Sequence, residues 1–435
     1  MMMSNEELIK WIREARQESI DLISDLNENQ LTVPYVDTVN PLIWEICHLT
    51  YFQELWVLRK GVGQKPIFSN ADSLFDSIKI GHEARWKLPI PNKEEAFDYL
   101  QKVKDKVIEL INSGKLNEQL KYYIIYSVFH EDMHTESLTY TRQTLGYSVP
   151  KFSHIKNINV PKVNNNISVE EDVLIPNRKF MLGATKDTNF VFDNERWAHE
   201  VKVEPFKISR TAVTEGQFAK FVDDKGYQRK ELWDNEGWKW KNATQAEHPL
   251  YWRKENDLWQ KRYFDKYIPI DANRAVIHVS WYEVDAYCRW AKRRLPTETE
   301  WEVAASIEPE GNSLSNNKRN YPWGNEIPNT DKANLGWQSM GTVDIRSHEK
   351  GDSTFGCRQM IGNVWEWTDT TFKPYPGFVA DMYQDYSQTS FDTRKVLKGG
   401  CWATQPRLIR NTWRNFYTPD RRDVFAGFRT CALNT

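Results

Sequence analysis

Apolar residues near the N-terminus fall at three- and four-residue steps. Leu8, Trp11, Ile12, Ala15, Leu22 and Ile23 form one such stripe, which predicts an amphipathic helix. Asn40-Pro41 then offers a polar cap followed by a proline at the first helical position, and Trp44, His48, Tyr51 and Leu55 trace a second stripe. Asn92 with Glu95 three residues on has the form of a capping box. It opens a third helix through Phe97, Leu100, Val103, Val107 and Leu110, which stops near Gly114. A fourth helix is predicted from about residue 117 to 145. Four helices of this length predict an antiparallel bundle, where inward side chains of facing helices can share a ligand.

The pattern changes at residues 147–170, where Pro, Asn and Lys replace the helical period. Beyond it come short strand-like runs rich in Trp, Gly and Pro, with helices predicted at 214–223 and 281–293 and no alternation of strand and helix. The predicted organisation is a helical domain over 1–155, a linker over 156–170 and a loop-rich second domain over 171–435, in the α+β class.

Composition narrows the function classes. The 435 residues carry a formal net charge of -2, so there is no electrostatic footprint for nucleic acid. No run of 18 apolar residues suggests a membrane span, and the opening MMMSNEELIK lacks the apolar core of a signal peptide. Five scattered cysteines (47, 288, 357, 401 and 431) form no C-x-x-C pair, which points to a reducing, cytoplasmic setting without disulfides. Fifteen of the 19 tryptophans follow residue 190, so the two parts are built differently.

The fourth helix carries FHEDMHTE at 129–136, which places His130 and His134 four residues apart on one helical face. His48 lies in WEICHLTYF on the second helix. A lone i, i+4 pair is more often surface or satisfied core. With a third histidine on a facing helix, three neutral imidazoles can hold one metal ion and leave positions open, as a catalytic metal requires. Glu136, about 200° round the helix from His134, is expected to support the site or the packing rather than to bind the metal. The other histidines (82, 154, 199, 248, 278 and 348) have no ligand spacing, though His82 in GHEARW is a possible neighbour of the site.

Strings in the second domain are specific: VTEGQFAKF at 213–221, RLPTETEWEVAA at 294–305, YPWGN at 321–325, GNVWEW at 362–367, LKGGCW at 397–402 and AGFR at 426–429. Together they resemble the formylglycine-generating-enzyme fold, a variant of the C-type lectin-like fold. The first 150 residues resemble the DinB-like metal-binding four-helix bundle. In this order, and with YPGFVADMYQDYS at 375–387 and RNFYTPDRRDVFAGFRTC at 414–431, the chain resembles the iron(II)-dependent sulfoxide synthases of ergothioneine biosynthesis. The resemblance implies an Fe(2+) centre on His48, His130 and His134. It also implies an O2-dependent reaction that joins the sulfur of cysteine or γ-glutamylcysteine to C2 of the hercynine imidazole, as a sulfoxide. Formylglycine-type enzymes use a cysteine pair near the GG-x-W string. Here Cys401 stands with no further cysteine until Cys431, which disfavours that activity.

The same resemblance implies roles for particular residues. Tyr383 corresponds to the tyrosine that supplies a proton or hydrogen atom to reduced oxygen, and Tyr386 to a substrate contact. Asn415 and Phe416 correspond to positions that hold the trimethylammonium group, which has no N–H and is recognised by aromatic faces and dipoles. Arg85 and Arg421 correspond to clamps for the thiol substrate's carboxylates, with Arg422 beside them. Relatives that take γ-glutamylcysteine carry an aspartate two residues after the Asn; here Tyr417 stands there, which favours free cysteine. Met133 also replaces a polar residue found in some relatives. Plainer alternatives stay open: Tyr383 as one loop aromatic of many, Phe416 as core, Arg422 and Asp423 as an ion network, and NVWEW as structural core. The alternative functions are a selenoneine synthase, which couples hercynine to a selenosugar, and a non-catalytic lectin-like binding protein. The active site is expected to draw on both domains.

Overall fold

A computed structural model describes residues 3–163, 171–310 and 313–433, in two compact units, Met1–Lys156 and Asn157–Thr435. Residues 164–170 of the expected linker lie outside the described residues.

The first unit is the predicted bundle. Its long helices are α1 (Asn5–Asp21), α2 (Leu42–Gln53), α3 (Lys93–Asn112) and α4 (Glu118–Leu145). Local chemistry sets most of their ends. Ser4 caps α1 by accepting from the Glu7 amide at 3.1 Å. Asn92 and Glu95 form the capping box of α3, each side chain bonding the other's amide at 3.0 Å. Asn117 accepts from the Leu120 amide at 2.8 Å to start α4, and Gly146, at φ 66°, ends it in the left-handed region a Cβ would strain. The cap of α2 is not Asn40 as expected. Pro41 occupies that position without a side-chain bond, because Asn40 turns its amide toward other partners.

α1 and α2 each pack against both α3 and α4. α3 buries Ala96, Tyr99, Leu100, Val103, Val107, Leu110 and Ile111, which include four members of the stripe read from the sequence, while its fifth member, Phe97, is only half-buried. Each large member contributes roughly 1.5–3 kcal/mol through the surface it removes from water. α2 differs, since all twelve of its residues are buried, Glu45, His48, Thr50 and Gln53 among them. Those polar groups are tolerated because they are partnered. Arg16 of α1 donates to Thr50 Oγ1 at 2.7 Å and Gln53 Oε1 at 3.2 Å and pairs with Glu131 at 3.2 Å, which also accepts from Ser19 at 2.7 Å. This layer ties α1, α2 and α4 in register. Beyond Gln53 the helix widens into a π-helical stretch, Glu54–Lys60, whose buried Glu54 accepts from the Tyr99 hydroxyl.

The second unit is built on two four-stranded sheets. In one, Trp365–Thr371 pairs antiparallel with Lys395–Lys398 and parallel with Ala426–Gly427. Lys395–Lys398 in turn pairs with Asn415–Tyr417, with Val396 opposite Phe416. The other joins Asp172–Ile175, Phe206–Ser209, Cys431–Ala432 and Arg293–Arg294. The predicted helices are present: Glu215–Asp223, capped by Thr214, and Trp281–Trp290, capped by Ser280. The second ends earlier than 293 because Arg293 and Arg294 leave the helix to pair as a strand.

Buried ion pairs fix the long connections of this unit. Glu366 of GNVWEW accepts from Arg429 at 2.7 and 2.9 Å and from the Trp301 indole at 2.7 Å, a structural knot rather than a reactive group. Glu302 sits wholly buried between Lys398 and Lys318. Burial alone would raise its carboxyl, but the two ammonium groups outweigh that and hold it down at about 2. All five cysteines are buried free thiols. No described helix is long and apolar enough to cross a membrane.

Candidate metal centre

His48 on α2 and His130 and His134 on α4 converge inside the bundle. One ligand atom from each lies within 4.8 Å of the other two. Ring centroids are 5.2 Å apart for His48 and His130, 5.0 Å for His48 and His134, and 4.6 Å for His130 and His134.

The surroundings decide which nitrogens are available. His48 Nδ1 lies 2.8 Å from the Phe75 carbonyl oxygen. A carbonyl only accepts, so Nδ1 carries the proton and Nε2 keeps its lone pair. His134 Nδ1 lies 2.8 Å from Glu45 Oε1 and donates to it in the same way. Both rings thus present Nε2, the orientation that an imidazole bound to a metal takes. His48 is stacked on Trp44 at 5.0 Å and 5°, and His130 on Phe52 at 3.8 Å and 11°, which restricts both rings in rotation. Burial, helped by the neighbouring His134, pushes His48 down to about 3 and His130 well below the usual imidazole range. Both rings are therefore neutral near pH 7. The His134 side chain is 20% exposed, so the cluster has an open side there. Three imidazoles, with those of His48 and His134 presenting Nε2, suit a divalent first-row transition metal with positions left for other ligands.

Arg85 is the expected substrate residue that the bundle brings near this cluster. Its guanidinium lies 4.1 Å over the Trp44 ring and donates to Asn40 Oδ1 at 2.6 Å. Its positive charge is among the influences that lower His48. His82 bonds the Val39 carbonyl instead, consistent with a structural role.

The remaining expected residues lie in the second unit. Tyr383 is half-buried and precedes a short 3-10 turn, Gln384–Tyr386. Tyr386 packs against Phe192 at 4.9 Å and Phe416 at 5.5 Å, and burial raises its phenol. The loop that carries both tyrosines is held from the segment Asp193–Arg196. Ser387 donates to Asp193 Oδ1 and accepts from Asn194 Nδ2 at 3.0 Å, and Arg196 pairs with Asp381 at 3.0 Å. Asn415 folds its Oδ1 back onto the Phe416 amide at 2.8 Å. Phe416 has one face covered by Phe372, at 4.1 Å and 16°.

Arg421 is held bidentate by Asp423 at 2.6 and 2.7 Å and lies 5.1 Å over the Tyr417 ring. A carboxylate arriving at Arg421 must therefore compete with Asp423. Arg422 is committed to wholly buried Glu283 at 2.6 Å and to the His248 carbonyl, so it anchors its loop.

Sequence reasoning missed Glu45, Asn40 and the Asp193 anchor. Glu45 and His48 make an E-x-x-H step on one helical face, a signal that was present in the chain. The Asp193 contacts span nearly two hundred residues and leave no local trace.

Comparison with known proteins fits this architecture. Residues 12–141 match the DinB superfamily, and residues 157–434 match the sulfatase-modifying factor enzyme 1-like domain. The hercynine oxygenase of Mycobacterium tuberculosis is 34% identical over 433 residues, covering 98% of this chain and 99% of its own length. That of Mycolicibacterium smegmatis is 30% identical over 438 residues, covering 98% and 99%. The formylglycine-generating enzyme of Thermomonospora curvata is also 30% identical, but over 60% of this chain and 92% of its own. The two-part order, matched from end to end, resolves the family: the chain belongs to the hercynine oxygenases and is an oxygenase.

Proposed function

We propose that this oxygenase is a non-heme iron(II)- and O2-dependent sulfoxide synthase acting on hercynine and a cysteine-type thiol. One O2 is consumed. The imidazole C2–H and the thiol S–H are lost, a C–S bond forms, one oxygen atom stays on sulfur and the other leaves as water. The observation that carries the reading is the cluster of His48, His130 and His134, whose donor atoms lie within 4.8 Å of one another, with two rings turned to present Nε2.

Bound iron(II) supplies one-electron chemistry toward O2 and open positions for the sulfur and the substrate ring. The chain's own residues do the rest. The bundle keeps His48 and His130 neutral by burial and turns the Nε2 of His48 and His134 toward the cluster. Trp44, Phe52 and the other buried side chains of α2 exclude bulk water from that face. Arg85 offers its planar fork to a substrate carboxylate. Tyr383 supplies a proton to reduced oxygen through its phenol O–H. Asn415 and Phe416 meet the trimethylammonium group, with Tyr386 against Phe416. Tyr417, in place of an aspartate, favours free cysteine over γ-glutamylcysteine.

The test is direct. Iron(II)-loaded protein is incubated in air with hercynine and, in separate tubes, cysteine, γ-glutamylcysteine or a selenosugar, and the products are weighed by mass spectrometry. A cysteine–hercynine sulfoxide supports the reading. Coupling only with the selenosugar, or none in any tube, refutes it.

A further inference from the structure

The rings of the histidine cluster are not electrostatically alike. His48 Nδ1 faces a neutral carbonyl, whereas His134 Nδ1 faces the carboxylate of Glu45, which is wholly buried. An anion behind an imidazole draws on its N–H and makes the far nitrogen a stronger donor. On the other side, the Arg85 cation lies over Trp44, which stacks on His48. A single side chain bridges the two charges. Asn40 donates to Glu45 Oε2 over a long 3.4 Å and accepts from Arg85 Nη1 at 2.6 Å. The direct donor set carries no negative charge of its own; Glu45 is bonded to it through His134, and Arg85 reaches it through the Trp44 ring stacked on His48.

We propose that Glu45 and Arg85 are opposed positioning charges that set the reduction potential of the metal held by His48, His130 and His134, and that a carboxylate docking on Arg85 lowers it. Glu45 stabilises the more positive, oxidised metal and Arg85 disfavours it. Without a carboxylate docked on Arg85, the metal is harder to oxidise. When a substrate carboxylate neutralises Arg85, Glu45 acts unopposed and the metal gives up an electron more readily. The arrangement spares the empty enzyme from O2 and releases that restraint when the acidic substrate is in place. This deepens the proposed function and rests on its metal centre.

The sign follows from charge alone. A unit charge about 10 Å away, at an effective dielectric of about 20, shifts a one-electron equilibrium by roughly tenfold. That factor is about 59 mV for a one-electron couple. The long Asn40 bond is too weak to carry the effect; its role is to keep Arg85 aimed.

The experiment measures the midpoint potential of the iron-loaded, full-length protein by equilibration with redox dyes, one electron passing from each iron to the dye. Glu45→Gln is expected to raise the potential by about tenfold in the equilibrium and Arg85→Gln to lower it by a similar factor. The double variant is expected near the wild type. Saturating L-serine, which offers a carboxylate without a thiol, is expected to lower the potential of the wild type but not of Arg85→Gln. A merely structural role for either side chain gives no opposite signs. If Glu45→Gln does not fold, Arg85→Gln still decides, since its side chain is only half-buried. A potential that Arg85→Gln leaves unchanged or raises overturns the proposal, and serine acting equally on both proteins, or on neither, overturns the docking half. A wild type that takes up no iron, or a His134→Ala protein that keeps it all, overturns the metal centre itself.

Discussion

Choice of thiol is open to a quantitative test at Tyr417. The Tyr417 ring lies under the Arg421 guanidinium at 5.1 Å, and Arg421 is already paired with Asp423 through two bonds of 2.6 and 2.7 Å. γ-Glutamylcysteine brings an α-ammonium as well as carboxylates. With a phenol at 417, that ammonium meets no carboxylate from this position. Leaving a charged group imperfectly paired in a partly desolvated site costs about 1–3 kcal/mol, and each 1.4 kcal/mol is tenfold. Cysteine is expected to have the higher kcat/KM, by about fivefold to a hundredfold on that scale. The assay is initial-rate sulfoxide formation with each thiol at saturating hercynine and O2. Tyr417→Asp supplies the missing anion and should shift the ratio at least tenfold toward the longer thiol. The new carboxylate also competes with Asp423 for Arg421, so the gain should appear in KM for γ-glutamylcysteine rather than in kcat. A wild-type preference of tenfold or more for γ-glutamylcysteine, or a Tyr417→Asp ratio equal to the wild type's, refutes the reasoning.

Other outcomes follow from single contacts. Tyr383→Phe removes only the hydroxyl, and the loop keeps its anchors on Asp193 and Arg196, so sulfoxide formation should fall about 10²–10⁴-fold with thermal stability unchanged. Oxidation of the thiol to a sulfinate should rise in its place; sulfoxide at the native rate would move the proton to Tyr386 or Tyr417. Glu302 is held at about 2 against an ordinary 4.5, so its contribution to stability is complete above the unfolded value and is lost as pH falls from about 4.5 toward 2. Glu302→Gln should destabilise the protein at pH 7 by about 3–5 kcal/mol, because Lys398 and Lys318 lose their counter-charge, and should flatten that acid limb. Denaturant melts of both proteins at pH 7 and pH 3 check it, and equal slopes against pH would rule it out.

The bundle was legible in the chain because its helices repeat with one period and their ends carry local signals, such as Asn92 with Glu95 and Asn117 before α4. The histidine cluster was legible because two ligands share one helical face and the third sits on a stripe of a neighbour. What surrounds the cluster was not. Glu45 reaches His134 across 89 positions, and the fully buried α2 hides its polar partners inside what reads as an amphipathic helix. Asn40 looked like a cap from its neighbour Pro41, yet the tertiary bond from Arg85 claims its side chain. In the second unit the strings identified the family, but strands as short as Arg293–Arg294 and Ala426–Gly427 carry no usable alternation. The Arg422–Glu283 pair shows why a basic residue in a family string need not face substrate.

The central claim is that His48, His130 and His134 hold one catalytic iron(II). Anaerobic loading, desalting and quantification of bound iron test it directly, on the wild type and on His48→Ala, with sulfoxide formation measured on the same samples. The account predicts one iron per wild-type chain, and loss of most iron and turnover in His48→Ala. Full iron and full turnover in the His48→Ala protein would contradict it.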